Sequence, residues 1–153
     1  MLWTLIKILF SGLFTKKIKK TFIDARLGKM ICEIDVKGEK FFFWNAEINS
    51  INKTEPTTIS VEGDVNGPNL DLLQKAYKVI EEIEDFKFII QKELDYKFTD
   101  QKLNLLKDYY ADDISLYLED GLDFEVEFYS DEADKPMISV AFNEKNIVEL
   151  DLY

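Results

Sequence analysis

The chain of 153 residues has no histidine and a single cysteine. Without histidine there is no Ser-His-Asp or Cys-His catalytic pair and no imidazole ligand for zinc. The lone thiol, Cys32, cannot form an internal disulfide or supply a thiolate cluster for zinc or iron–sulfur. These absences exclude nucleophilic catalysis that depends on a histidine base, and they exclude zinc and iron–sulfur sites that need imidazole or several thiolates. Low cysteine usage also favours a reducing, cytoplasmic location.

Glycine and proline are scarce as well, with six and three residues. Neither the G-x-G-x-x-G pattern nor the G-x-x-x-x-G-K-[ST] pattern occurs, so a glycine-rich phosphate cradle is unsupported. Any catalysis would have to depend on carboxylates, Lys, Tyr, Ser or Thr. We therefore expect a protein that is not an enzyme and that needs no cofactor or metal ion.

Acidic residues are missing from the first twenty positions, which carry five lysines, although the whole chain has 30 Asp+Glu against 19 Lys+Arg. All of the acids therefore lie in residues 21–153. A strongly acidic body repels the phosphates of nucleic acids. This distribution predicts a basic protein partner or a membrane surface, and no nucleic acid.

Residues 1–20 are predicted to form an amphipathic, basic helix or arm. Its apolar stretch is shorter than the about 20 residues that span a bilayer. Two interpretations remain open: the helix docks on its own domain or on a second copy, or it lies on an anionic membrane surface. The residues expected to make either contact are Trp3, Lys7, Phe10, Lys16 and Lys17.

Residues 21–153 are predicted to form a single α+β domain. Alternating apolar residues predict strands at residues 30–36, 41–48 and 57–62. The strand at 41–48 has Phe on both faces, so we expect a cover on each side of that sheet.

Helical spacing continues from Leu70 to Leu94, which predicts one long helix or two helices that meet near Glu84. Pro68 suits the first turn, and Asn66 or Asp64 is expected to cap it. A further helical piece is predicted from Thr99 to Tyr110.

Alternation returns at residues 122–129, 138–142 and 148–152, which predicts an antiparallel meander at the C-terminal end of the sequence. The predicted fold class is therefore α+β, with antiparallel β-sheets flanking a helical middle and an amphipathic helix at the N-terminus.

The last two strands predict a specific acidic surface. If Val148 faces the core with the other apolar residues, Ser139 pairs with Asp151 and Ala141 pairs with Glu149 on the outer face. The strand at 122–129 would add its own acids to that face. The expected partner-binding residues are Glu125, Glu127, Glu149, Asp151 and Asp123.

Such a patch suits the arginine and lysine side chains of a basic protein. A second acidic stretch, between Asp112 and Asp134, would extend it. The alternative interpretation is an ordinary solvated strand face that charge keeps soluble.

Residues 22–96 contain three elements of a recognisable pattern: Asp24-Ala25-Arg26-Leu27-Gly28, then Trp44, then Gly63-Asp64-Val65-Asn66-Gly67-Pro68 before a long helix. In this pattern the chain resembles a family of small, largely uncharacterised bacterial immunity-type proteins associated with polymorphic toxins. The resemblance implies an α+β inhibitor without catalytic residues.

Together these observations predict a non-catalytic immunity or inhibitor protein that neutralises a basic bacterial toxin, such as a nuclease, through an acidic surface. The alternative is a peripheral membrane or scaffold protein anchored by the N-terminal helix. A carboxylate-based enzyme is the third hypothesis.

Overall fold

The structure is a computed structural model that describes residues 17–35 and 42–153. The described chain forms nine strands and three helices. These are β1 (Lys17–Asp24), β2 (Gly28–Asp35), β3 (Phe42–Ile48), β4 (Thr57–Asp64), β5 (Gly67–Pro68), α1 (Leu70–Glu81), α2 (Ile83–Lys97), α3 (Leu105–Asp108), β6 (Tyr110–Leu116), β7 (Phe124–Tyr129), β8 (Ile138–Asn143) and β9 (Asn146–Leu152).

All nine strands belong to one mixed sheet. Its order is β1-β2-β3-β4-β6-β7-β8-β9, and the short β5 pairs with β4. Every pairing is antiparallel except that of β4 with β6, which is parallel. Parallel neighbours need a long crossover connection, and helices α1 to α3 supply it between these two strands.

The hydrophobic core lies on one face of this sheet. Cross-strand partners form a continuous buried row through Ala46, Ile59, Ile114, Val126 and Val140. Because side chains alternate along each strand, consistent register keeps all of these residues on the same side.

The helices cover the apolar face. Phe86 of α2 is packed edge-on against Phe124 of β7 and Phe142 of β8, with ring centroids 5.0 and 5.1 Å apart. Ile90 and Leu94 follow on the same side of α2 and are fully buried. These contacts explain the helical spacing of apolar residues in the sequence.

The helical middle begins and divides at positions other than those predicted. Asn69 caps α1, because its side-chain oxygen accepts hydrogen bonds from the amides of Asp71 and Leu72 at 3.0 and 3.1 Å. Of the two predicted alternatives, two helices are observed, and they meet at Glu82, two residues before Glu84, where the backbone leaves helical geometry with φ −100° and ψ 12°.

The predicted fold class is wrong in its central feature. We expected separate antiparallel sheets on either side of a helical middle, whereas the parallel pairing of β4 with β6 joins all strands into one mixed sheet. The predicted helix from Thr99 to Tyr110 is also wrong. Only Leu105–Asp108 is helical there, and Tyr110 begins β6.

The predicted N-terminal helix falls mostly outside the described residues. Trp3, Lys7, Phe10 and Lys16 lie outside the described residues. Lys17 is described, and it begins β1, which pairs with β2 along its whole length. For residues 17–20 the helix prediction is therefore wrong. Within the described ranges, no helix has the length and apolar character needed to cross a bilayer.

Candidate functional site

The sheet face opposite the helices carries two adjacent rows of mostly polar side chains. One row crosses β4, β6, β7, β8 and β9 as Ser60, Ser115, Glu125, Ala141 and Glu149. The next row runs in the same order through Thr58, Asp113, Glu127, Ser139 and Asp151. The acidic face is defined here as the five carboxylates of these rows: Asp113, Glu125, Glu127, Glu149 and Asp151.

The structure has the strand register that the sequence predicted for this surface. Ser139 pairs with Asp151 and Ala141 pairs with Glu149. The assumption about Val148 is wrong, because this side chain is 54% exposed. The register shifts between Ala141, which pairs with Glu149, and Phe142, which pairs with Ile147, so Val148 is the extra residue of a β-bulge. Val148 therefore departs from the alternation of inward and outward side chains, while the two predicted pairs keep their register.

Hydroxyl groups surround the central carboxylate of the acidic face. The Ser139 hydroxyl donates a hydrogen bond to Glu125 Oε1 at 2.5 Å, and the Tyr117 hydroxyl donates to Oε2 at 3.3 Å. Burial raises the pKa of Tyr117 to about 12, with the charge of Glu125 as a further cause. Both oxygens of Glu125 are thus oriented by neutral donors.

Asp113 is held in the same way on the neighbouring strand. Its two carboxylate oxygens accept hydrogen bonds from the hydroxyls of Ser115, at 2.5 Å, and Ser60, at 3.3 Å. Burial nevertheless raises the pKa of Asp113, and the charges of Asp112 and Glu125 act in the same direction. The hydroxyl donors do not compensate for the lost hydration.

Glu127 completes the cluster. Burial raises its pKa, and the charges of Asp113, Glu125 and Asp112 raise it further. Among the described residues, no basic side chain forms an ion pair with any carboxylate of the acidic face. The cluster therefore consists of mutually repelling anions with only neutral hydrogen-bond donors.

Asp123, the fifth residue of the predicted partner site, has different contacts. Its Oδ1 accepts a hydrogen bond from Lys75 Nζ of α1 at 2.5 Å, and its Oδ2 accepts one from the Glu144 amide at 2.6 Å. The hydrogen bond from Lys75 lowers the pKa of Asp123. This carboxylate is already paired, so we do not include it in the acidic face.

The second predicted acidic stretch is only partly connected to this surface. Asp113 belongs to the acidic face, and Asp112 occupies the register shift beside it. Glu119 and Asp120 lie exposed in the loop before β7. Nowhere in residues 17–35 and 42–153 do His, Cys, Asp or Glu side chains form a group of three suited to a metal ion.

Sequence reasoning missed the hydroxyl donors Ser115 and Tyr117 because it did not recognise β6 as a strand, and it missed Ser60 because it did not place β4 beside β6. The signal was present in the buried residues Ala111, Ile114 and Leu116. Because of the irregularity at Asp112, Ala111 and Ile114 are three residues apart, whereas Ile114 and Leu116 are two residues apart. This uneven spacing obscures the alternation expected of a strand.

The Gly63–Pro68 element that resembles the immunity-type family has a structural role. A Cβ atom at Gly63 would lie 2.3 Å from the carbonyl oxygen of Gly67, so only glycine fits. The Trp44 indole N–H donates to the carbonyl of Asp64 at 3.0 Å and fixes the same turn. This element thus links β4, β5 and the start of α1.

No protein-family model, curated protein or solved structure matches the chain. The family resemblance and the partner-binding role of the acidic face consequently remain predictions.

Proposed function

We propose that this chain is a non-catalytic inhibitor of the immunity type, which binds a basic bacterial toxin through the acidic face. The observation that supports the proposal is the arrangement of five carboxylates on adjacent strands without a cationic neighbour among the described residues. A lysine or arginine side chain from a partner supplies the missing counter-charge.

The electrostatics of the cluster favour such a partner. The raised pKa values of Asp113 and Glu127 mean that ionising them costs free energy in the unbound protein. A bound cation reverses that cost, and close charge pairs across interfaces couple by about 1.5–7 kcal/mol. The net charge of −11 also steers a basic protein towards this surface and speeds association.

Aromatic side chains border the acidic face. Phe43 and Tyr117 pack edge-on with ring centroids 5.8 Å apart, and Tyr129 is 38% exposed beyond Glu127 on the same strand. Aromatic residues are enriched in the energetically important parts of protein interfaces. Carboxylates and rings on one open sheet face suit a protein partner better than a small molecule.

The test is co-expression with the product of the neighbouring gene in a bacterial host. The wild-type chain should restore growth and elute with that product in size-exclusion chromatography. Glu125→Lys with Glu127→Lys should abolish both effects, because like charges then face each other. The matched control, Asp100→Lys with Glu119→Lys, changes two exposed acids outside the acidic face and should protect fully.

Circular dichroism of each variant verifies folding independently of protection. Full protection by the folded Glu125→Lys, Glu127→Lys variant would refute the proposal. The same conclusion would follow from a neighbouring product that is harmless to the host. The membrane alternative depends on residues 1–20, most of which lie outside the described residues, and no described contact favours it.

A further inference from the structure

A cavity of about 420 Å³ lies between α1, the start of β7 and the turn that joins β8 to β9. Sites that hold small molecules have volumes of roughly 300–1,000 Å³. The base of this cavity is apolar and consists of Val79, Phe86 and Phe124, whose side chains are buried. Charged side chains form its rim. We call this space the hairpin cavity, and none of the residues that line it belongs to the acidic face.

Two ion pairs fix the walls of the hairpin cavity. Lys75 of α1 binds Asp123, which immediately precedes β7, at 2.5 Å. Lys145 of the turn binds Glu82, at the end of α1, at 2.7 Å. Both pairs join the helix to the strand side of the cavity, so the walls are already positioned in the unbound chain. A pre-formed site loses less free energy to ordering when a ligand binds.

The turn between β8 and β9 has an unusual backbone conformation. Glu144 has a φ of 56°, in the left-handed region that residues with a side chain adopt infrequently. The Asp123 carboxylate holds this conformation, because its Oδ2 accepts a hydrogen bond from the Glu144 amide at 2.6 Å. Strained backbone is concentrated at ligand and catalytic sites. The turn is therefore a fixed wall that carries the Glu144 side chain.

One cation and one anion of the cavity lining have no counter-charge. Lys78 follows Lys75 by one turn on the same face of α1, and Glu144 lies on the turn between the strands. Neither forms an ion pair with any part of the chain that the structure describes. The two charges border the same space without neutralising each other. A ligand that carries both a carboxylate and an ammonium group supplies both missing partners.

We propose that the hairpin cavity binds a small zwitterion with an apolar side chain, of which a free amino acid such as phenylalanine is the simplest example. Lys78 binds the carboxylate and Glu144 binds the ammonium group. The apolar side chain lies towards Phe86, Phe124 and the methylene stems of the rim lysines. The inference is independent of the proposed inhibitor function, because the acidic face contributes nothing to this cavity.

Titration of the full, isotopically labelled chain with L-phenylalanine, followed by amide chemical shifts in NMR, tests the proposal. The amides around Lys78 and Glu144 should shift in a saturable way. Two analogues separate the charges: 3-phenylpropionate lacks the ammonium group, and 2-phenylethylamine lacks the carboxylate. Each should bind about ten-fold more weakly than phenylalanine, because one charge-assisted hydrogen bond is missing.

Two variants assign the charges to their residues. Lys78→Gln should weaken phenylalanine binding about ten-fold and leave phenylethylamine binding unchanged. Glu144→Gln should weaken phenylalanine binding to the same degree and leave phenylpropionate binding unchanged. The control Lys92→Gln changes an exposed lysine of α2 outside the cavity and should bind like the wild type.

Absence of saturable shifts at millimolar phenylalanine would overturn the proposal. So would equal affinity for phenylalanine and both analogues, or full affinity in the Lys78→Gln and Glu144→Gln variants. Circular dichroism establishes that each variant is folded. Because Glu125 and Glu127 are unchanged, both variants should still protect against the toxin, and failure of amino-acid binding leaves the inhibitor proposal to its own test.

Discussion

The phenolic hydroxyl of Tyr77 donates a hydrogen bond of 2.5 Å to Oδ2 of Asp24, which joins helix α1 to the turn between β1 and β2. The other oxygen of Asp24 accepts from the amides of Arg26 and Leu27 at 2.9 and 2.6 Å. The Arg26 guanidinium lies 4.3 Å above the Tyr77 ring and forms an ion pair with Glu81. These contacts fasten the edge hairpin to the helical layer.

Tyr77→Phe removes the hydroxyl donor and keeps the ring beneath Arg26. We expect a loss of about 1–3 kcal/mol in the free energy of unfolding, because a buried carboxylate loses a hydrogen bond. Urea denaturation measures the loss. Tyr96→Phe is the matched control, since Tyr96 is 81% exposed, and it should leave stability unchanged. Equal stability of the two variants would contradict the assigned role.

The same carboxylate makes stability depend on pH. Burial alone would raise the pKa of Asp24, but the hydrogen bonds from Leu27, Tyr77 and Arg26 outweigh it and lower the pKa. A lowered folded-state pKa stabilises the fold above the unfolded pKa, and this stabilisation is lost as the pH falls through the folded value. Asp24→Asn should therefore be less stable than wild type at pH 7, and the difference should shrink in acid. A difference that stays constant with pH would contradict this.

The acidic face makes the stability of the fold depend on pH in the opposite direction. Because burial raises the pKa of Asp113 and Glu127, their ionisation destabilises the fold above the raised values, and the cost disappears as the pH falls through them. Asp113→Asn with Glu127→Gln should raise Tm at pH 7 by about 2 °C, which corresponds to less than about 1 kcal/mol at this size.

Thermal unfolding at pH 7 and at successively lower pH measures this effect. The advantage of the neutral variant over wild type should decrease as the wild-type carboxyls take up protons. Asp100→Asn with Glu119→Gln, two exposed acids off the sheet, is the control and should show no such advantage. A neutral variant that is less stable than wild type at pH 7 would refute the assigned repulsion.

Gly63→Ala should destabilise the chain severely. The added Cβ would lie 2.3 Å from the Gly67 oxygen, 2.7 Å from Pro68 Cα and 2.9 Å from the Asn69 nitrogen, all of them backbone atoms that cannot rotate away. We expect a loss above about 3 kcal/mol, in the range of strained backbone positions.

Gly67→Ala is the matched control from the same turn. Its Cβ would meet only the ring of Phe22, at 3.4 and 3.5 Å, which is ordinary contact. Chemical denaturation should show a loss below about 1 kcal/mol for this variant. If both alanine variants unfolded alike, the close approach at Gly63 would not be the reason for its glycine.

Asn52 connects the loop after β3 to β6. Its side chain donates to the Ala111 carbonyl at 2.6 Å and accepts from the Ala111 amide at 3.1 Å. Asn52→Ala leaves the amide of the buried Ala111 without this acceptor, whereas the Ala111 carbonyl keeps the hydrogen bond from the Thr57 hydroxyl at 2.8 Å. We therefore expect a loss of about 1–3 kcal/mol in urea denaturation. Asn49→Ala changes an exposed asparagine in the same loop and should cost little. Equal losses would show that the bridge contributes nothing.

The strands of the C-terminal meander were predictable because their signal is local. Alternation in Phe124, Val126 and Phe128 defines a strand with one buried face, and the pairing of Ser139 with Asp151 follows from a short connection. The clustering of acids on the opposite face follows from the same period of two.

Three features depended on contacts between distant parts of the chain. The parallel pairing of β4 with β6 brings residues 58–61 against residues 113–116, and no local pattern specifies that pairing. The irregular register at Asp112 disguised β6. The raised pKa of Asp113 arises from burial among neighbouring strands and not from its sequence neighbours alone.

The sequence by itself thus determined the absence of histidine and disulfide chemistry, the acidic charge and the alternation of individual strands. Only the tertiary structure decided that the strands join in one mixed sheet and that five carboxylates share its open face. The physical reason is range: side-chain alternation is set by adjacent peptide units, whereas strand order is set by burial of apolar surface shared between segments far apart in the chain.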